Sequence, residues 1–316
     1  MLKSVIRKIP CIIITIITLS CDQPVVSGIT VEAPEFSEPS GFYDEEVIVE
    51  ISSPTNGSSI RYTTDGTDPT ESLGILYSGP ITISKTALIK AIALKDSNLP
   101  STISYRNYYI KTTQLDLRIR DFTPLTNTDF EYNSIGADLG IVNSNLGEDK
   151  IPVYNHIGST LTVHSPTTFY QWFRDIEGVN IGIQYYLNMV SDVDGLHYSN
   201  ADFFPINGIG FGNTPGYGRN YHFTMSYNGI FYYDGNESIT IDITANDDTW
   251  LFINNKLVID MGGIQSPKAG SFTLTSLNSE EIGISSSGVY NFDLFHAQRH
   301  TTTSSFSLST NAILLK

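Results

Sequence analysis

The sequence predicts an all-β protein. After residue 21, apolar and polar side chains alternate with a period of two, as in Val47-Ile48-Val49, and a helical period is almost absent. Turn-forming stretches such as SPTNGSS and TTDGTDPT separate these runs. The one exception is TTFYQWFRD, which places Phe169, Trp172 and Phe173 on one helical face and predicts a turn or two of covering helix.

The first 21 residues resemble a bacterial lipoprotein signal. Basic residues precede an apolar run over residues 9–19, and Cys21 follows a small residue. The run is too short to span a membrane. Although Thr18 departs from the usual aliphatic residue, the pattern predicts that lipidated Cys21 anchors the protein in the cell envelope. We expect the outer membrane or cell surface, with the inner membrane as the alternative. A plain secretory signal with an incidental cysteine is the other interpretation.

Charge and cysteine content narrow the partners. The chain has 18 Lys and Arg against 33 Asp and Glu, a net charge of −15, so nucleic acid and anionic lipid headgroups are poor partners. Cations and neutral sugars suit such a surface better, although simple solubility also explains it. Cys11 lies in the leader, so Cys21 would be the only cysteine after cleavage. The exported chain must therefore be stabilised by core burial and not by disulfides.

The composition changes near residues 110–116, which divides the chain into two blocks. Residues 30–112 have the size of a small immunoglobulin-like sandwich. Residues 115–316 are rich in Gly, Asn and aromatic residues, and their length fits one larger β-barrel or sandwich.

The first block resembles a known family. The motifs PEFSEPSGFY, SIRYTTDGTDPT, LYSGPI and IKAIAL occur in the order found in the chitobiase and β-hexosaminidase C-terminal-type domain. That resemblance covers nearly all of residues 33–110 and implies a small immunoglobulin-like sandwich that acts as an accessory or spacer. It carries no catalytic residues over to this chain.

Most of residues 117–310 carry a second set of motifs: LRIRDFTP, NTDFEYN, FYQWFRDIEGVN, FFPINGIGFGN, NYHFTMSYNGIFYY, DDTWLFINNKLVIDMGG and YNFDLFHAQRHTT. Together these motifs resemble a fibro-slime domain, a branch of the protective-antigen-type β-barrel superfamily. It implies carbohydrate binding and, as in several members, Ca²⁺ held by two consecutive aspartates. The matching residues are Asp247 and Asp248, with Asn246 as a third ligand, where the family often has another Asp.

Physical chemistry sets a condition for that calcium site. Neighbouring side chains of a regular strand point to opposite faces, so Asp247 and Asp248 can converge only if the backbone breaks locally, by a bulge or a cis bond. Carboxylate and amide oxygens are suitable Ca²⁺ ligands. The other interpretation of the pair is the solvated edge of an ordinary hairpin.

The hairpin that follows the pair is clear from the pattern. Residues 250–253 and 257–259 are apolar runs around an Asn-Asn-Lys turn, and Asp260 is interpreted as a residue that satisfies backbone amides, not as an acid catalyst. His296 and His300 lie on a strand-like run, which separates them too far for one zinc ion. The expectation there is a polar strand end with Arg299 paired to an acid.

These observations favour a binding protein over an enzyme. No nucleophile elbow, HExxH motif or EF-hand spacing occurs. We expect the second block to bind a glycan or glycoprotein with Ca²⁺, for adhesion or matrix attachment, through Phe211, Tyr217 and Trp250. The alternatives are a self-associating slime or matrix protein and, less favoured, an accessory part of a glycosidase.

Overall fold

The computed structural model describes residues 28–316. The predicted leader and the lipidation site at Cys21 lie outside the described residues. Within the described part of the chain, no helix is long and apolar enough to cross a membrane. The architecture is nearly all β, which confirms the predicted fold class.

The N-terminal domain is an immunoglobulin-like sandwich of nine short strands. They are β1 Glu35–Phe36, β2 Gly41–Tyr43, β3 Val47–Val49, β4 Ile51–Ser52, β5 Ser59–Thr63, β6 Ile75–Leu76, β7 Ile81–Ile83, β8 Ala87–Leu94 and β9 Ser104–Ile110. The main sheet has the order β2-β9-β8-β5-β6, and β3 pairs with β7. Alternate residues such as Val49, Ile89, Ala91 and Tyr108 are fully buried between the layers, as the period of two predicts.

The C-terminal domain contains fourteen strands and one short helix. They are β10 Gln114–Asp121, β11 Gly136–Ala137, α1 Pro166–Tyr170, β12 Ile181–Asn188, β13 Val190–Asp192, β14 Gly195–Asn200, β15 Phe223–Tyr233, β16 Ile239–Ala245, β17 Asp248–Ile253, β18 Lys256–Met261, β19 Gly263–Ile264, β20 Lys268–Leu274, β21 Gly288–Gln298, β22 Phe306–Thr310 and β23 Ile313–Leu315. A single-turn 3-10 helix lies over Glu280–Ile282.

Two sheets form the C-terminal sandwich. The larger has the order β12-β10-β15-β21-β17-β18 with β23 also paired to β15, and the smaller has the order β13-β14-β22-β16-β20. The sheets do not close into a barrel, so of the two forms expected for this block the sandwich is confirmed. The main core, which includes Leu117, Met225, Leu251, Ile243 and Leu308, lies between the sheets.

The outer face of the larger sheet is also covered. Residues 141–173 pack their apolar side chains on it, so that Trp172 contacts the outward-facing Trp250. Strand β17 is consequently buried on both faces and reads as the continuous run DTWLFI. The predicted helix is the short α1, capped by Ser165 and Thr168, which hydrogen-bond each other's backbone amides.

The two domains contact each other through the last strand. The backbone N–H of Thr112 donates to Leu314 O at 2.9 Å, and Lys316 N–H donates to Ile110 O at 2.8 Å. Beside these bonds, Phe42 of the N-terminal domain lies 5.0 Å from the ring of Tyr232 on β15. The connection between the domains is therefore short and hydrogen-bonded.

Candidate functional site

The β17–β18 hairpin forms around the predicted Asn-Asn turn. Asn254 and Asn255 have φ values of 48° and 67°, the left-handed conformation that a tight two-residue hairpin turn requires and that asparagine tolerates. The strands pair from Ile253↔Lys256 to Thr249↔Met261, with a register shift between Leu251 and Phe252. This hairpin places the acid pair at the start of β17.

The backbone break that the acid pair requires is present at Asp247. Its φ is 47°, in the left-handed region, and the described residues contain no cis peptide bond. Asp248 is the first residue of β17. Because Asp247 is left-handed, both carboxylates can face the same neighbouring residue, which a regular strand would not allow.

Both carboxylates contact Arg299, which lies just after β21. Its Nε donates to Asp248 Oδ2 at 2.6 Å, and its backbone N–H donates to Asp247 Oδ2 at 2.8 Å. The other two carboxylate oxygens accept backbone N–H groups: Asp248 Oδ1 from Gly263 at 2.7 Å, and Asp247 Oδ1 from Gln265 at 3.1 Å. All four oxygens of the pair are therefore hydrogen-bonded within the protein.

The Arg299 side chain is itself fully enclosed. Nη1 donates to Thr162 O at 2.5 Å and Nη2 to Thr162 Oγ1 at 3.1 Å, while the guanidinium carbon lies 4.5 Å from the ring centroid of Trp172. Neither Arg299 nor Asp248 has any solvent exposure. We refer to Asp247, Asp248 and Arg299 as the buried cluster.

Burial dominates the electrostatics of the cluster. Burial raises the pKa of Asp247 to about 6, although the hydrogen bond from the Arg299 backbone N–H and the charge of the guanidinium both lower it. Burial also raises the pKa of Asp248. A buried ion pair is costly to desolvate, so removal of one partner is far more destabilising than the pair is stabilising. The cluster is consequently a specific structural feature and not a solvated hairpin edge.

Asn246 does not join the acid pair. Its Oδ1 accepts from the backbone N–H of Ser305 at 2.8 Å, and its Nδ2 donates to Thr303 Oγ1 at 3.1 Å. The expected third metal ligand is instead a fully buried side chain that fixes the segment before β22. In this structure the Asn246 amide is therefore directed to residues 303–305 and not to the carboxylates of the acid pair.

The arrangement of the pair does not fit Ca²⁺. The ion needs six to eight oxygen ligands, whereas each carboxylate oxygen of Asp247 and Asp248 already accepts a hydrogen bond, one of them from the Arg299 guanidinium. A Ca²⁺ ion here would have to displace Arg299. Over residues 28–316, no group of three or more His, Cys, Asp or Glu side chains has a geometry suited to a metal ion.

The remaining polar residues of this region also have structural partners. Asp260 accepts from Trp250 Nε1 at 2.9 Å and from the backbone N–H groups of Gly262 and Gly140 at 3.0 and 2.8 Å, which agrees with its predicted role. His296 is buried and lies 3.0 Å from Thr249 Oγ1 through Nδ1. His300 instead faces the backbone oxygen of Tyr132.

Trp250 cannot contact a ligand in this structure. It has no solvent exposure, because residues 141–173 cover the outer face of the sheet and its indole packs against Trp172 and Phe169. The structure therefore shows no exposed Trp250 surface for the expected sugar contact. The local pattern showed an aromatic residue on a hairpin but not the segment that covers it.

The two other expected ligand contacts are exposed. Phe211 and Tyr217 have exposed fractions of 45% and 49% and lie on the loop over residues 203–221, which we call the aromatic loop. Tyr217 contacts the ring of Tyr221 edge-on at 5.5 Å, and Tyr221 contacts Phe204 at 4.7 Å. Arg219 lies over the Phe204 ring and pairs with Asp202.

A buried carboxylate holds this loop in place. Asp121, at the end of β10, accepts from the Phe211 backbone N–H at 2.5 Å and from Asn220 Nδ2 at 2.8 Å. Gly210 has a φ of 66°, and a Cβ there would overlap Asp121 Oδ2. Burial raises the pKa of Asp121 to about 6. The sequence did not single out Asp121 or Asn220, because their partners lie far along the chain.

Comparisons with known proteins agree with the two-domain architecture. Residues 38–105 match the family model described as the chitobiase/beta-hexosaminidase C-terminal domain, and residues 205–313 match the PA14 domain. The narrower fibro-slime assignment is not confirmed.

Several curated proteins of Dictyostelium discoideum are similar to this chain. Protein psiQ is 37% identical over 216 residues, which cover 63% of this chain and 21% of psiQ. Protein psiD is 37% identical over 213 residues (62% and 41%), and protein psiE is 30% identical over 253 residues (71% and 48%). The match spans less than half the length of each of these relatives.

Two solved structures share the domain name at low similarity. The PA14 domain of the MpAFP antifreeze protein is 13% identical with a TM-score of 0.25, covering 65% of this chain and 92% of that one. A PA14 sugar-binding domain from an RTX adhesin is 10% identical with a TM-score of 0.24, covering 64% and 91%. Such scores add nothing to the family matches. The chain therefore consists of an immunoglobulin-like domain of the chitobiase/beta-hexosaminidase C-terminal type followed by a PA14 β-sandwich.

Proposed function

We propose that this protein is an exported surface protein, anchored through a lipid on Cys21, whose PA14 sandwich binds carbohydrate at the aromatic loop. The observation that carries the proposal is the exposure of Phe211 and Tyr217 on a loop fixed by the buried Asp121. The match of residues 205–313 to the PA14 domain, a type of domain that the sequence resemblance links to carbohydrate binding, supports it. Ca²⁺ has no part in the proposal, because the Arg299 guanidinium already lies against the acid pair.

The chemistry of the loop suits a sugar. The apolar face of a pyranose packs on an aromatic ring, while its hydroxyls need donors and acceptors at the ring edge. Tyr217 and the adjoining Tyr221 supply the aromatic surface, and Arg219 with Asp202 supplies charged groups beside it. Neutral sugars also suit the acidic surface better than anionic glycans do.

The loop is preorganised by its own hydrogen bonds. Asn213 accepts from Gly208 N–H at 2.7 Å and donates to Gly218 O at 3.1 Å, and Asn220 Nδ2 donates to Gly212 O at 3.0 Å. A loop that is already ordered loses little conformational entropy when it binds. The many glycines therefore belong to a folded loop and not to a flexible one.

The segment beside the buried cluster contacts the start of the aromatic loop. Asn246, adjacent to the acid pair, accepts from Ser305 N–H, and the neighbouring Ser304 Oγ donates to Phe203 O at 2.6 Å, where the aromatic loop begins. Two hydrogen bonds thus connect the acid pair's neighbour Asn246, through residues 304–305, to the start of the loop. We infer that the conspicuous aspartates act on ligand binding only through the position of this segment.

A glycan array tests the proposal. The full chain should bind one or more neutral glycans, and Tyr217→Ala and Phe211→Ala should each weaken that binding at least about tenfold. Tyr105→Ala is the matched control, since Tyr105 is 58% exposed on β9, outside the loop. Binding unchanged in both loop variants contradicts the proposed site. No binding to any glycan, together with a particle size that grows with concentration, would favour a self-associating matrix protein instead.

The anchor is tested separately. In membrane fractions of a bacterium that expresses the full chain, wild type should be found with the envelope and carry a lipid on Cys21. Cys21→Ser should release the protein into the soluble exported fraction. Wild type found in the soluble fraction would show that the leader is a plain secretory signal.

A further inference from the structure

The cleft between the two domains has a second set of polar groups that glycan binding at the aromatic loop does not use. Its volume is about 510 Å³, within the usual range for small-molecule sites. Lys85 of the N-terminal domain lies on one side, and Asp116, Asn228, Asn291 and Asp293 of the larger C-terminal sheet lie on the other. The aromatic loop lies at the opposite end of β10, next to Asp121.

The cleft lies at a gap in the larger sheet. Along the edge of β15 that faces away from β21, β10 pairs with residues 223–226 and β23 pairs with residues 230–232. Residues 227–229 have no strand beside them on that edge within the described part of the chain. Tyr227, Asn228 and Gly229 therefore line the cleft, and on that edge they do not pair with another strand.

Asp293 is the most informative group in the cleft. It is 2% exposed, and its Oδ1 accepts from Asn228 Nδ2 at 2.8 Å. Its Oδ2 is buried and has no hydrogen-bond partner among residues 28–316. Burial raises the pKa of this carboxyl to about 6, so it stays largely ionised at neutral pH. A buried acceptor without a donor is unfavourable, and a ligand hydroxyl that donates to it would remove that cost.

The neighbouring groups are both donors and acceptors. Asn228 pairs across the strands with Asp293. Arg118 pairs with Ser226, so Asp116, two residues earlier, lies on the same face as Asn228, two residues later. Asp116, Asn228 and Asp293 therefore share one face of the sheet. Gly229 allows the Tyr227 ring to lie over the strand, because a Cβ there would overlap it. Burial, Asp116 and Asp293 together raise the pKa of the Tyr227 hydroxyl, which therefore remains a donor.

We propose that this interdomain cleft is a second binding site, for a neutral mono- or disaccharide, with Asp293 as the acceptor of a sugar hydroxyl. The alternating hydroxyls of a sugar match carboxylate and amide groups spread over adjacent strands, whereas a metal ion would need a closer set of acids than the described residues provide. The proposal does not depend on the aromatic loop. It adds a site at which both domains contact one ligand.

Chemical-shift titration of the full chain, labelled with ¹⁵N, tests the site. The probes are D-glucose, D-galactose, N-acetyl-D-glucosamine and cellobiose. At least one should shift the amide signals of residues 227–229 and the side-chain amide of Asn291 in a saturable way. Asp293→Asn should weaken that binding at least about tenfold, because it replaces a charged acceptor by a neutral amide.

Two further variants keep the outcome clear. Asp116→Asn changes an exposed residue of the cleft and should weaken binding while the protein stays folded. Asp242→Asn on β16 is an exposed control outside the cleft and should bind as wild type does. Shifts confined to residues 203–221 would overturn the cleft site and support the aromatic loop. Saturable shifts in residues 227–229 alone would support the cleft and contradict the loop. Equal affinity in wild type, Asp293→Asn and Asp116→Asn, or no saturable shift with any probe, would also overturn the cleft site.

Discussion

Arg299 Nε lies 2.6 Å from Asp248 Oδ2, and neither side chain has any exposure to solvent. The guanidinium supplies a positive charge at the position where two adjacent aspartates first indicate a metal ion. The guanidinium is held from its other side by Thr162 and by the face of Trp172, so its position is fixed by residues from three separate parts of the chain. In this structure the acid pair therefore stabilises the fold.

Arg299→Met should destabilise the protein by about 3–5 kcal/mol, because it leaves two buried carboxylates without their cation. Chemical denaturation measures the change. The control is Arg219→Met, which breaks an exposed ion pair with Asp202 and should cost less than about 1 kcal/mol. Equal effects of the two substitutions would show that the buried pair contributes no more than a surface pair.

Calcium and chelator should leave the unfolding midpoint of the wild-type protein unchanged. A ligand that binds only the folded state raises its stability, and at Asp247 and Asp248 the positive charge of Arg299 already stands where Ca²⁺ would bind. Thermal unfolding with millimolar Ca²⁺ and with EGTA makes the comparison. A higher midpoint in Ca²⁺ that is lost in Asp247→Ala would contradict this expectation and restore the metal site.

Acidification should act on the fold through His296. Burial lowers the pKa of this imidazole to about 4, against about 6.5 when unfolded, so the unfolded chain binds the proton more readily. The contribution is complete above pH 6.5 and is lost as the pH falls through 4, an effect of about 3 kcal/mol. Stability measured against pH should show this loss in wild type and a smaller one in His296→Asn.

The opposite sign applies to buried carboxyls, which makes the variant comparison necessary. Burial raises the pKa of Asp121 and of Asp293 to about 6, so their contributions favour the folded state at low pH and are lost as the pH rises through 6. These contributions are common to wild type and His296→Asn and cancel in the difference. An identical pH dependence in the two proteins would exclude His296 as the acid-sensitive group.

Asp260→Ala should lower stability by about 2–3 kcal/mol, because it leaves the N–H groups of Trp250, Gly140 and Gly262 without their acceptor. Urea unfolding is the measurement. Asp242→Ala is the matched control, an exposed strand aspartate whose loss should be within experimental error. If ligand binding is lost while stability is unchanged, Asp260 contacts a ligand and is not the structural residue described above.

Gly210→Ala should be more destabilising than Gly212→Ala. Both glycines have a positive φ, which costs an alanine about 1–2 kcal/mol. Only at Gly210 would the added Cβ also overlap Asp121 Oδ2, whereas nothing lies within 4 Å of one at Gly212. Unfolding midpoints of the two variants should therefore differ. Similar midpoints would show that Asp121 does not fix the loop as closely as its bond to Phe211 indicates.

Local signals in the sequence predicted the β class, the Asn254-Asn255 turn and the role of Asp260, because each depends on residues close together in the chain. Arg299 lies 51 residues from Asp248, and Phe211 lies 90 residues from Asp121. No periodicity reports contacts at such separations. The pattern did indicate that Arg299 pairs with an acid, but only the fold identifies that acid as the supposed calcium ligand.

The burial of Trp250 was hard to predict for a similar reason. A strand with apolar residues on both faces is buried on both sides, and the continuous run DTWLFI was the signal for this. The covering segment has little regular structure, so its presence was hard to infer from the sequence. The choice between barrel and sandwich likewise depends on whether β12 and β18 meet, which is decided by the twist of the whole sheet and not by either strand.

The position of β23 also bears on how the PA14 sandwich can be combined with other proteins. This last strand is hydrogen-bonded to the segment that enters the domain: Lys316 N–H donates to Ile110 O, and Thr112 N–H donates to Leu314 O. The entry and exit of the sandwich are therefore neighbours. A unit whose two ends meet can be inserted into a surface turn of a host protein without forcing the flanking strands apart, so this fold is as well suited to being a guest within a chain as a module at the end of one.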